Sequence, residues 1–286
     1  MISKNRSPTG AVDLRNRNTL RSLLGRRPVI GVVHLAPLPG SPEAPSLDQT
    51  VARAVADAAV WERNGADALL IENFGDRPFY PDRVPPITIA SMSRVLSRIQ
   101  ENSALPLGVN VLRNDACAAL ALAEAFGLRF IRVNVHAGVQ VSDQGLLVGI
   151  AHRTLRQRAA GTARPWIFAD LRVKHSAPLV ARDLLVEAEE LIERAGADVI
   201  LLSGTATGRP PPVETLETLS MAFPRFPFLL ASGVDPDLIQ VSIRSASGFI
   251  VGTFAQDGRA GRPPRPELVR QLVAVRDRGL RLVLRS

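Results

Sequence analysis

Several common residues are nearly missing from this 286-residue chain, and each gap closes off a class of function. There is one cysteine, Cys117, so no internal disulfide can form. Cys117 falls inside an alanine-rich helical pattern, which suits a small packing residue better than a nucleophile. No apolar run approaches the length of a membrane span, and no charged start leads into an apolar leader segment. The chain is therefore expected to be soluble and cytoplasmic. No Walker A lysine, no G-x-G-x-x-G after a first strand, no HExxH pair and no Cys/His finger occurs. These gaps speak against P-loop hydrolysis, dinucleotide binding of the usual doubly wound kind, zinc hydrolysis and finger-type DNA reading. No metal and no cofactor is expected: His34, His136 and His175 lack the tight spacing of a ligand set.

Lysine is almost absent too. It occurs at Lys4 and Lys174 only, and every other cation is arginine. In such a chain a lysine at 174 stands out as a residue kept for its own chemistry. The net charge is +8, yet the basic residues gather at the ends: Arg15, Arg17, Arg21, Arg26 and Arg27 ahead of the first apolar run, Arg276, Arg278, Arg281 and Arg285 behind the last. No helix carries a continuous basic stripe, so no nucleic-acid partner is expected. Residues 1–27 are read as a basic N-terminal extension and 28–286 as the folded domain.

What the chain does have is alternation. Eight short apolar runs, "VIGVVHL" (29–35), "ADALLIEN" (66–73), "LGVNVL" (107–112), "FIRVNVH" (130–136), "WIFADLRVKH" (166–175), "DVILLSG" (198–204), "FLLASG" (228–233) and "GFIVGT" (248–253), are each followed by a helical pattern. Continuous apolar strands joined by helices imply a parallel sheet buried on both faces. Eight units in this length predict a single (β/α)8 barrel, a TIM barrel.

In such a barrel the active site forms at the C-terminal ends of the strands. Those ends are where polarity collects here: His34; Glu72 and Asn73; Asn110, Arg113, Asn114 and Asp115; Asn134 and His136; Asp170, Lys174 and His175; Ser203 and Gly204, with Thr205 and Thr207 beyond; Ser232 and Gly233; Gly252 and Thr253. Strand alternation places Arg132, Asn134 and His136 on one face and Asp170, Arg172 and Lys174 on another. Glu72, Asn110, His136, Asp170 and Lys174 are the candidates for catalysis. His34, Asn73, Arg113, Asn114, Asn134, His175, Ser203, Gly204, Thr207, Ser232, Gly233, Gly252 and Thr253 are the candidates for ligand binding. Small residues at the mouths of the last two strands suit a phosphate held by backbone N–H groups. Lys174 has two readings, an ammonium that neutralises an anion and an amine that attacks a carbonyl. The first is favoured, because Asp170 nearby would keep it charged.

Several stretches, "GVVHLAPLPGSP" (31–42), "IENFGDRPF" (71–79), "VPPITIASM" (84–92), "PLGVNVLRNDA" (106–116), "FIRVNVHAG" (130–138), "SDQG" (142–145), "DLRVKHS" (170–176) and "SGTATG" (203–208), resemble the BtpA/SgcQ family. The resemblance covers roughly residues 28–256. It implies a TIM barrel, and it brings no established reaction with it. The family's namesake is linked to photosystem I biogenesis, which sets a non-catalytic assembly factor beside the enzyme reading. Asp143 and Gln144, in "SDQG", would form a lid over the mouth. The expected partner is a small anionic or phosphorylated ligand, a sugar phosphate or a nucleotide. Peripheral association with a membrane surface and a homo-oligomer are both compatible with the sequence.

Overall fold

A strand that is apolar on both faces must be covered on both, and the computed structural model shows how. It describes residues 16–204 and 210–284. The eight runs form β1 (Val29–His34), β2 (Ala68–Glu72), β3 (Leu107–Asn110), β4 (Phe130–Val133), β7 (Trp166–Asp170), β9 (Val199–Leu202), β10 (Phe228–Leu230) and β11 (Gly248–Val251). Every neighbouring pair is parallel, and β11 returns to pair with β1, so the sheet closes into a barrel. The intervening helices are α2 (Leu47–Arg63), α3 (Pro86–Asn102), α4 (Ala116–Phe126), α5 (Ala151–Ala160), α6 (Leu184–Glu189), α7 (Val213–Ala222), α8 (Pro236–Ser242) and α9 (Pro266–Val283). Capping residues set several of their starts. Ser46 and Gln49 form a capping box on α2, Asp115 caps α4, and Asp235 caps α8.

The two-residue period of the strands sorts the core into two layers. Val29, Val33, Leu69, Ile71, Val109 and Ile131 face the helices. Ile30, Val32, Ala68, Leu70, Phe130, Phe168, Leu201, Leu229 and Ile250 fill the barrel interior. That interior holds a stacked pair, Phe130 and Phe168, with ring centroids 4.5 Å apart. Gly108 on β3 makes room for it, since a Cβ there would come within 2.2 Å of the Phe130 ring. The same alternation carries His34, Glu72, Asn110, Arg132 and Asp170 into the interior one step higher, where the apolar filling ends.

Within the basic N-terminal segment, helix α1 (Arg17–Leu24) packs against the interior cluster through Leu20 and Leu24. Its start is fixed by an Asn16–Thr19 capping box, and Arg17 Nε donates to the Phe226 carbonyl at 3.0 Å. The helix thereby covers the end of the barrel at which the strands begin. Arg276, from the basic C-terminal segment, is also tied down there: it donates to Asp67 Oδ2 at 2.6 Å, and Asp67 accepts the Val29 N–H at 2.8 Å.

At the opposite end, β5 (Val139–Ser142), β6 (Gly145–Val148) and β8 (Ser176–Pro178) form a small antiparallel sheet. It grows from the loops after β4 and β7. The turn of its hairpin carries Asp143 and Gln144, which stand over the mouth of the barrel.

Candidate functional site

Arg132 is the centre of the polar layer. Its Nε and Nη2 donate to the two oxygens of Asp170 at 2.9 and 3.0 Å, and its Nη1 donates to Glu72 Oε1 at 3.0 Å. Asn110 Nδ2 donates to Glu72 Oε1 at 3.0 Å and to Asn134 Oδ1 at 3.3 Å. Asn134 Nδ2 and Ser203 Oγ both donate to Asp170, each at 2.9 Å. Strands β2, β3, β4, β7 and β9 thus contribute to one buried network. Isolated charges would be prohibitively costly at this depth, and the pairing removes most of that cost. Burial pushes the Glu72 carboxyl up, but Arg132, the His34 and Lys174 side chains and the Asn110 hydrogen bond together outweigh it, so Glu72 is held below the usual carboxylate range. Arg132 is raised in turn: burial opposes its charge, and Asp170 and Glu72 outweigh that.

Above this network lies a cavity of about 340 Å³. Glu72, Asn110, Arg132 and Asn134 form its floor, with Arg113, Lys174, His175, Asp143 and Gln144 around it. Phe74, Phe79 and Arg77 complete one wall, with the Arg77 guanidinium 4.4 Å from the centre of the Phe74 ring. A second, narrow cavity of about 30 Å³ shares Glu72, Arg132 and Lys174 with the first. Its remaining walls are His34, Ser232, Gly233, Gly252, Thr253 and neighbouring apolar residues. Gly252 has to be glycine, because a Cβ would lie 2.7 Å from His34 Cε1.

Two cations here form no ion pair with a carboxylate among the described residues. Arg113 is buried, and its Nη2 donates to the Lys174 carbonyl at 2.7 Å. Burial holds its pKa below the ordinary value. Lys174 Nζ makes no hydrogen bond or ion pair with any described residue. Burial, followed by the Arg132 charge, lowers it to about 8. The sequence suggested Asp170 as its partner, but Arg132 has taken both oxygens of that carboxylate. His34 is neutral, brought to about 4 by burial. Burial also lowers His175.

The structure therefore brings together Glu72, Asn110, Asn134, Asp170, Lys174, Arg113, His175 and Ser203 in or directly beneath the mouth. His34, Ser232, Gly233, Gly252 and Thr253 line its narrow extension. Gly204 follows Ser203 and is buried. Thr205 and Thr207 lie outside the described residues.

His136 is a correction. Its side chain leaves the mouth, and its Nε2 meets the Ala195 carbonyl at 2.9 Å behind the barrel wall. Strand β4 stops at Val133, so alternation no longer holds three residues on, at His136. Asn114 then takes the place of a neighbouring strand, bonding both the N–H and the carbonyl of Val135 at 2.8 and 3.0 Å. Asn114 is thus committed to the backbone. Asn73 is held the same way, accepting the Leu112 N–H at 2.7 Å and donating to the Leu112 carbonyl at 3.3 Å, and it also donates to the Asp76 carboxylate at 3.0 Å. Asp115 caps α4 and accepts the Val84 N–H. Arg172 likewise leaves the face expected of it and pairs with Glu187 on the outside. Residues that line the two cavities or touch their walls but were not among the candidates include Arg132, Phe74, Arg77, Phe79 and Gln256. Arg132 had a legible signal, an arginine in the middle of an apolar strand. Among the described residues no three of His, Cys, Asp and Glu stand close enough together to hold a metal ion.

A sequence model of the BtpA family matches residues 25–277. The chain belongs to that family. Among its relatives is the photosystem I biogenesis protein BtpA of Synechocystis, 44% identical over 79% of each chain. An uncharacterised protein of Pyrococcus horikoshii is 41% identical over 81% of this chain and 88% of its own. A Caenorhabditis elegans protein described as mitochondrial is 32% identical over 79% and 83%. Solved structures resemble the chain in fold alone. A thiamine phosphate pyrophosphorylase from Pyrococcus furiosus superposes with a TM-score of 0.54 at 15% identity, over 91% of this chain and 99% of its own. A 2-keto-3-deoxy-6-phospho-gluconate aldolase from Zymomonas mobilis gives 0.53 at 13%, over 89% and 94%. No helix among the described residues is long and apolar enough to cross a membrane.

Proposed function

We propose that this BtpA-family barrel binds a small phosphorylated metabolite, a sugar phosphate or a nucleotide, at its C-terminal mouth and acts on it there. The observation that carries this reading is the pair Arg113 and Lys174, two cations beside one cavity that form no ion pair with a carboxylate among the described residues. Arg132 takes both oxygens of Asp170 and one of Glu72, so an anionic ligand would give the Lys174 ammonium and the remaining Arg113 donors the hydrogen-bond partners they lack. The phosphoryl group would enter the narrow cavity, where the Ser232–Gly233 and Gly252–Thr253 backbone can approach it closely. The rest of the ligand would occupy the larger cavity over the floor of Glu72, Asn110 and Asn134. Named relatives in fold, a thiamine phosphate pyrophosphorylase and a phospho-gluconate aldolase, handle phosphorylated compounds by name, in keeping with this reading. Lys174, at about 8, is mostly an ammonium at neutral pH and gives up its proton readily enough to serve as an acid.

The name of the Synechocystis relative points to assembly work instead. A purely scaffolding role would give no use to a buried, hydrogen-bonded polar layer opening on a cavity, so the enzyme reading is preferred. The test is mass spectrometry of small molecules retained by gently purified protein. A phosphorylated compound should leave the wild type and be depleted in Lys174→Ala. Retention of only unphosphorylated compounds, or equal retention in both proteins, would count against the reading.

A further inference from the structure

Gln256, fully buried in the loop between β11 and α9, decides where the proton sits on His34. Gln256 Oε1 accepts the Gly261 backbone N–H at 3.1 Å. A backbone N–H can only donate, so the amide must turn its oxygen and not its nitrogen that way. The same oxygen lies 2.8 Å from His34 Nδ1. Nδ1 must therefore carry the hydrogen and donate it. The ring cannot easily rotate out of this arrangement. It packs on the Gly252 backbone, and the Phe74 ring lies 4.4 Å away on centroids. In the neutral ring Nε2 is left with a bare lone pair, and it faces Glu72 Oε2 at 3.8 Å. Glu72 takes its hydrogen bonds from Asn110 and Arg132 on Oε1. Oε2 receives no donor from the described residues. Two acceptors thus look at each other across a gap with no proton between them, on the wall of the same narrow cavity as Gly233 and Gly252.

We propose that His34 Nε2 and Glu72 Oε2 form a hydroxyl-recognition subsite on the wall of the narrow cavity, with Gln256 as the positioning residue that keeps the His34 lone pair aimed into it. The ligand is then a phosphorylated polyol or sugar with a free hydroxyl close to its phosphorylated carbon. That hydroxyl donates to the acceptor pair, and its oxygen can accept from the Lys174 ammonium, which lines the same cavity. The ligand class rests on the phosphate reading above, whereas the proton position on His34 does not.

Imidazole 15N spectra of the labelled protein at neutral pH read the proton directly. The chain has four histidines, and His34 is assigned by the signal lost in His34→Asn. Wild type should show a protonated Nδ1 and a bare Nε2. Gln256→Leu should lose that pattern, while Gln256→Glu, which keeps an acceptor at the same place, should retain it. In calorimetry, wild type should bind sn-glycerol 3-phosphate at least about tenfold more tightly than propyl phosphate, which has no hydroxyl. Gln256→Leu should bring the two esters near parity while still binding inorganic phosphate. A protonated Nε2 in wild type overturns the proposal, and so does equal affinity for the two esters. Failure of wild type to bind any phosphate, with Nδ1 protonated, overturns the phosphate reading and the ligand class with it, and is distinguishable from failure of the His34 pair.

Discussion

Arg132 and Asp170 face each other inside the barrel through two parallel hydrogen bonds, Nε to Oδ2 at 2.9 Å and Nη2 to Oδ1 at 3.0 Å. This pair and Glu72 form the floor on which the mouth stands. Removing the cation leaves two buried carboxylates facing each other. Arg132→Met should lower unfolding free energy by roughly 3–5 kcal/mol in urea titration. Arg132→Lys should recover only part of it, because a lysine cannot make the two-pronged contact. An Arg132→Met variant as stable as wild type would show that the network is not holding the floor.

Lys174 makes stability and ligand binding depend on pH in opposite directions. Its folded pKa of about 8 lies below the ordinary 10.5. Below about 8 both folded and unfolded chains hold the proton, and the folded state bears the whole cost of the buried charge. Between about 8 and 10.5 only the unfolded chain holds it, so stability relative to Lys174→Met should rise across that window, by an amount on the order of 1–3 kcal/mol, and then level off. Phosphate affinity should fall above about pH 8 as the ammonium is lost. Denaturation curves at several pH values check the first trend, and calorimetry checks the second.

Leu20 of α1 is 1% exposed and lies against the barrel interior. Leu20→Ala should cost roughly 2–5 kcal/mol, the range for a core leucine, although the residue lies in what the sequence presents as a basic extension. A change under about 0.5 kcal/mol in chemical denaturation would mean that α1 does not seal the barrel in solution.

Gly108→Ala should destabilise by roughly 1–3 kcal/mol or more, since the new methyl meets the Phe130 ring. Adding Phe130→Leu should return part of the loss. Additive losses in the double variant would contradict the packing described.

The barrel was legible because parallel strands covered on both faces must be apolar throughout, and the eight runs stand out for that reason. The polar ring was legible because it interrupts those runs at one end only. What alternation cannot show is where a strand stops. It placed His136 beside Asn134 and Arg172 beside Asp170, and both errors arise one turn of chain beyond the last paired residue. Asn73 and Asn114 carry the right chemistry for a ligand but spend it on backbone groups from other loops, a commitment that exists only once the loops are folded. The sheet of β5, β6 and β8 left no clear trace, because its strands are short and face solvent on one side. Gln256 acts through a histidine 222 positions away, and no local pattern links them.

The most direct test of the central claim is calorimetric titration of inorganic phosphate into wild type and Lys174→Ala at pH 7 and matched ionic strength. The account predicts a saturable, single-site heat in wild type and an affinity at least about tenfold weaker in the variant. No saturable binding to wild type, or the same affinity in both proteins, would contradict it.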